Sequence, residues 1–91
     1  MTGSKVWVDG GLVDADGPAV SAFDHGLLTG DGVFETLKTY DGTPFAVRRH
    51  LERLAHSAAG LGLALRPDEE LRAAMDEVVA ANGLGSGGGR V

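Results

Sequence analysis

Cysteine is absent, which removes disulfide staples, thiolate nucleophiles and cysteine-rich zinc sites together and fits a reducing compartment. No stretch approaches the roughly 18 uninterrupted apolar residues of a membrane-spanning helix. The opening Met1 to Val8 offers one lysine before a short apolar run, too little for a secretory signal. A cytoplasmic protein with no membrane partner is expected. Basic side chains are few: eight Lys and Arg stand against 13 Asp and Glu, a formal net charge of -5. A domain whose main partner is a phosphate backbone needs many cationic contacts, so nucleic acid is a poor partner. Internal repeats are also missing. What is there, 91 residues with 43% hydrophobic and 23% charged side chains, is the composition of one small globular domain rather than of a disordered segment.

The pattern along the chain predicts strands first and helices second. Lys5-Val6-Trp7-Val8 alternates and is β-prone, Asp9-Gly10-Gly11 tolerates positive φ, and Leu12-Val13 resumes the apolar pattern, which reads as a hairpin. Asp14 to Pro18 marks a turn, and Val20 to Leu28 holds no long element. After the break Gly30-Asp31-Gly32, the run Val33 to Tyr40 is rich in β-branched and aromatic residues and ends in Asp41-Gly42, across which Thr43 to Val47 returns antiparallel. From Arg48 to Leu61 the period changes. Leu51, Leu54, Ala58 and Leu61 recur at spacings of three and four along one helix face, with Glu52 and His56 on the other. A second helix starts at Pro67-Asp68-Glu69-Glu70, where acids meet the positive end of the helix dipole, carries Leu71, Met75, Val78 and Val79 on one side, and stops at Asn82-Gly83. Leu84 to Val91 is flexible by composition. The order implies an α+β fold, a small antiparallel sheet with two helices packed on one side. Residues 1–82 are expected to form the domain, and 83–91 a glycine-rich linker or the truncated entry to a missing second domain.

Few residues stand out as chemistry on their own. Gly30-Asp31-Gly32 lacks the third glycine of a dinucleotide fingerprint and the Gly-Lys-Ser/Thr ending of a Walker loop, and a strand rather than a helix comes after it, so it reads as a turn. His25, His50 and His56 are too few and too unevenly spaced to hold a metal. Asp14, Asp16 and Gly17 lack the remaining oxygen ligands of a calcium loop. Glu35 with Asp31 or Asp24 would be a catalytic carboxylate pair only if the fold sets their separation. Arg48, Arg49 and Arg53 lie at the front of the first helix, where cations gain nothing from the dipole. That placement invites an anionic partner, or else Arg49 and Arg53 simply flank Glu52 on a solvent face.

Five segments taken together carry a family resemblance: Val6-Trp7-Val8-Asp9-Gly10, Ser21-Ala22-Phe23-Asp24-His25-Gly26, Gly30-Asp31-Gly32-Val33-Phe34-Glu35-Thr36, Tyr40-Asp41-Gly42, and His50-Leu51-Glu52-Arg53-Leu54 with Ser57-Ala58 after it. In order and spacing, across about residues 6 to 82, they resemble the opening of the class IV (fold type IV) pyridoxal-phosphate enzymes. That family holds branched-chain aminotransferases, D-amino acid aminotransferases and aminodeoxychorismate lyases. The segment Gly30 to Glu35 is more similar to the D-amino acid aminotransferase and lyase branches. The resemblance implies that Arg53 binds the phosphate of pyridoxal 5'-phosphate, a role that suits a planar guanidinium. It also implies that Phe34 borders the substrate, where relatives place Tyr or Phe, although the bland alternative for a large apolar residue is burial in the core.

The same resemblance puts the Schiff-base lysine in a C-terminal domain beyond residue 91. Lys5 and Lys38 are the two lysines present, and neither sits in the corresponding motif. The chain is therefore expected to be an N-terminal portion of a homodimeric enzyme acting on an amino acid, a 2-oxo acid or aminodeoxychorismate, with no catalytic residue of its own and no activity alone. The alternative is a stand-alone binding or dimerisation module derived from that fold.

Overall fold

A computed structural model describes residues 4–91. The first hairpin pairs β1 (Lys5–Val8) with β2 (Gly11–Asp14), Lys5 opposite Asp14 and Val8 opposite Gly11. Its two-residue turn is Asp9-Gly10, both at positive φ (49° and 97°), the backbone that matches the right-handed twist of paired strands. The Lys5 ammonium pairs with the Asp14 carboxylate at the open end. The second sheet has the order β4-β3-β5. Here β3 (Lys38–Tyr40) turns through Asp41-Gly42 into β4 (Thr43–Pro44), and β5 (Gly88–Arg90) runs antiparallel along its other edge. The expected α+β arrangement is therefore present, with the strands divided between two small sheets instead of one.

Two stretches differ from the sequence reading. The run Val33 to Tyr40 alternates in burial throughout, yet only Lys38–Tyr40 is laddered. A strand needs a partner, and β5 reaches back only as far as Val91, which exchanges both backbone bonds with Leu37 at 2.8 Å. The glycine-rich tail, flexible by composition, nonetheless supplies β5. A Cβ on Gly89 would stand 2.8 Å from Thr39 Oγ1 and 3.0 Å from Leu84 Cδ2, so the bare backbone is what lets this strand lie against β3.

A short helix that periodicity could not signal, α1 (His25–Thr29), lies between the sheets in chain order. The Asp24 side chain accepts from the Leu27 N–H at its start, and Gly30, at φ 77°, closes its end. The longer helices are α2 (Val47–Leu61) and α3 (Asp68–Ala81), each within one residue of its expected start. Three acids occupy the first turn of α3, favourable against the dipole. Helix α2 enters through Ala46 in the left-handed region (φ 57°, ψ 37°) without a side-chain cap.

Leu37, Leu51, Ala58, Ala74, Val79 and Thr39 are buried, which places the core between β3, α2 and α3. Asn82, just past α3, clamps β1 onto this core. Its Oδ1 accepts from Lys5 N–H at 2.8 Å while its Nδ2 donates to Lys5 O at 2.9 Å and Val78 O at 2.8 Å. The molecule is a slab of 37 × 31 × 18 Å.

Candidate functional site

Successive side chains of an extended strand point to opposite faces, and residues 33–40 obey that rule. Val33, Glu35, Leu37 and Thr39 turn toward the helices, whereas Phe34, Thr36, Lys38 and Tyr40 face out. Glu35 thereby meets α2, on which His50 and Arg53, three residues apart, share a face. Arg53 Nε lies 3.1 Å from Glu35 Oε1, and His50 Nδ1 lies 3.4 Å from the same atom. The angles do not complete hydrogen bonds, and Glu35 Oε1 and His50 Nδ1 remain buried without such a partner. The contact is thus electrostatic. Glu35 is 15% exposed and Arg53 72%, so the arginine end is screened by water and the pair adds little to stability. Its effect is orientation: a carboxylate on Nε turns the guanidinium's other edge outward.

No hydrogen bond from Arg53 Nη1 or Nη2 exists among the described residues. An open hollow of about 440 Å³ on the outer side of α2 is bounded by Arg49, Glu52, Arg53, His56 and Ser57. Guanidinium, imidazole and hydroxyl donors bordering one hollow, with a guanidinium held from behind, form a donor set that fits a phosphate group. Glu52, the carboxylate at its edge, lies 3.8 Å from Arg48.

Phe34 is 86% exposed, so burial in the core of this chain is ruled out for it. It stands on the opposite face of its strand from Glu35, and the structure does not bring Phe34 and Arg53 into one hollow. The three carboxylates weighed from sequence each take a separate partner. Glu35 faces Arg53 and His50, Asp31 lies 2.9 Å from His25 Nε2, and Asp24 caps α1. Among the described residues no group of three His, Asp or Glu could hold a metal, and no helix is long and apolar enough to cross a membrane. Lys5 is engaged with Asp14, and Lys38 faces outward from β3. Spacing alone does not join Glu35 to His50 and Arg53, since 15 or more residues separate the strand from its helical partners. A second hollow of about 400 Å³ is lined by Trp7 of β1, by Leu37, and by Leu54, Leu71 and Met75 of the helices, and Glu35 and His50 border it.

An α+β unit that turns an arginine outward from a helix behind a two-faced extended segment has a recognisable class. The chain belongs to the amino-transferase class IV family, whose profile matches residues 32–91. A D-alanine aminotransferase of Listeria monocytogenes is 38% identical over 84 residues, 91% of this chain and 29% of that protein. A Methanocaldococcus jannaschii protein with the provisional name branched-chain-amino-acid aminotransferase is 49% identical over 57 residues, 63% of this chain and 20% of that one. Among solved structures, a fold IV transaminase, CpuTA1, from Curtobacterium pusillum superposes with a TM-score of 0.66 at 42% identity, over 90% of this chain and 28% of that one. The chain therefore spans less than a third of the length of these relatives.

Proposed function

We propose that this chain is the N-terminal portion of a pyridoxal-phosphate-dependent aminotransferase in which Arg53 binds the cofactor phosphate and Phe34 borders the amino acid. The observation that carries the reading is Arg53 itself, held from behind by Glu35 and open toward a hollow that Arg49, His56 and Ser57 also border. Arg53 grips the phosphate through Nη1 and Nη2 by charge-assisted bonds, Glu35 fixes its direction, and Phe34 keeps water from the substrate side. Bound pyridoxal phosphate supplies an electron sink for breaking a bond at the amino acid α-carbon.

The named relatives are aminotransferases, which favours transfer over lyase chemistry. Similarity to a D-alanine aminotransferase along 91% of the chain favours a small D-amino acid as donor. On this reading the covalent lysine lies outside residues 1–91, these residues alone are inactive, and 83–91 lead into a second domain; the small share of each relative that the chain covers supports it. A homodimer in the cytoplasm completes the reading, supported by the open apolar side chains Phe23, Leu27, Leu28 and Phe34, which invite cover.

Titration of the 15N-labelled chain with inorganic phosphate and with pyridoxal phosphate tests the arginine. Amide shifts are expected to cluster at residues 49–57, and Arg53→Ala should weaken both ligands about tenfold, the equivalent of one charged hydrogen bond at about 1.4 kcal/mol. Shifts that ignore Arg53→Ala would overturn the assignment.

A further inference from the structure

Asn82 is the single carboxamide side chain of a sequence that has no glutamine, and Gly83 follows it. That pair is open to modification by its own backbone. Gly83 has no Cβ to shield its nitrogen, and a Cβ built there would meet nothing within 4 Å, so neither a side chain nor a neighbour guards the peptide. Once the Gly83 nitrogen has given its proton to hydroxide, it can bond to Asn82 Cγ and close a small imide ring. The Cγ–Nδ2 bond then breaks, and Nδ2 leaves as ammonia with a proton taken from water. Water adds to either carbonyl of the ring and opens it to an aspartate or an isoaspartate. Water is consumed, ammonia is released, and no atom changes its oxidation state.

The folded chain holds this reaction off. At Asn82 ψ is 9°, which nearly eclipses the Gly83 nitrogen with the Asn82 nitrogen and so turns it away from Cβ, beside which ring closure needs it. Gly83 N–H is also bonded to Ala80 O at 3.3 Å. The carboxamide is fully committed: Nδ2 donates to Lys5 O and Val78 O, and Oδ1 accepts from Lys5 N–H. Two of those three bonds go to β1, so lifting β1 frees the carboxamide at the end of α3, and local openings of this kind precede global unfolding. Neither product rebuilds the clamp. A carboxylate has no N–H for Lys5 O or Val78 O, and an isoaspartate also adds a methylene to the backbone.

We propose that Asn82-Gly83 is a self-deamidation site gated by β1, closed while β1 sits on Asn82 and converted when β1 lifts, after which β1 stays loose. The inference does not depend on the role of Arg53. The test follows ammonia release and the mass of the tryptic peptide Ala73–Arg90 while the 91-residue chain is incubated in mildly alkaline buffer, with and without denaturing urea. Mass and ammonia are the readouts because Asp9-Gly10, Asp16-Gly17, Asp31-Gly32 and Asp41-Gly42 can also form isoaspartate, but with neither change. A peptide of residues 80–86 gives the unprotected rate in each buffer. The unfolded chain is expected to match that peptide and the folded chain to convert at least about tenfold more slowly, as a group reactive only in an opened state does. Lys5→Pro removes the N–H that Asn82 Oδ1 accepts, at a strand edge where proline is tolerated, and should speed conversion of the folded chain about fivefold, the worth of one hydrogen bond. In the converted wild-type chain, amide exchange at Lys5–Val8 should quicken. Conversion of the folded chain at the peptide's rate, no conversion in urea, a folded Lys5→Pro chain no faster than wild type, or unchanged exchange at β1 after conversion would each overturn the proposal. If Lys5→Pro does not fold, the wild-type rates with and without urea still decide it.

Discussion

Asn82 gives the sharpest test of how the unit is held together. Its side chain makes three hydrogen bonds, two to the backbone of Lys5, 77 residues away in sequence, and one to Val78 O. It thereby satisfies the edge of β1 that β2 does not pair. Each such bond contributes about 1 kcal/mol net. The site is part-buried, so water replaces some of what is lost, and Asn82→Ala should cost about 2 kcal/mol. For a chain of this length that lowers the melting temperature by about 8–16 °C, from about 4–8 °C per kcal/mol. Asn82→Asp keeps the acceptor for Lys5 N–H but sets a carboxylate against two carbonyl oxygens, and at neutral pH should cost at least as much. Urea titration monitored by Trp7 fluorescence reports both, because Trp7 lies on β1. If both variants stay within about 0.5 kcal/mol of wild type, the range of an inconsequential surface change, then β1 is not fastened through Asn82 and the clamp is wrong.

Ala46 occupies left-handed backbone at the entrance to α2, which costs an L-residue about 1–2 kcal/mol; Ala46→Gly should therefore stabilise the chain by up to about 1 kcal/mol in the same urea titration after the entropy of glycine is subtracted. Loss of stability instead would show that the Ala46 methyl packs usefully. Gly89→Ala forces a methyl to within 2.8 Å of Thr39 Oγ1 and should destabilise by about 1–3 kcal/mol, with amide exchange quickening first at Lys38–Tyr40; an unchanged melt would mean that β5 is not seated on β3.

Much of this architecture can be read from residue patterns because local chemistry dictates it. Asp9-Gly10 and Asp41-Gly42 are turn dipeptides, and both turns form where they stand. Leu51 and Ala58 are buried on the face that their spacing defines, while Leu61, the last residue of that row, stays 49% exposed because α2 ends there. Helix α1 is hidden from such reading because five residues show no period, although Asp24 and Gly30 bracket it with cap chemistry. Strand β5 is hidden because glycine content signals freedom of the chain, and its role here, close approach to Thr39, depends on a distant surface. The site divides in the same way. Arg53 and Phe34 are singled out by motif resemblance and their roles are proposed on it, but the Glu35 contact joins an extended segment to a helix 18 residues on, a relation that period and spacing do not encode.

The strict alternation of residues 33–40 carries a consequence for how this segment tolerates change. Among the odd-numbered positions Leu37 and Thr39 answer to folding and Glu35 to the direction of Arg53, while Phe34, Thr36 and Lys38 face outward, so different constraints interleave at single-residue resolution. A screen that selects variants for heat resistance would sample Phe34, Thr36 and Lys38 almost freely and leave any damage to recognition undetected; only a ligand-based selection would see it.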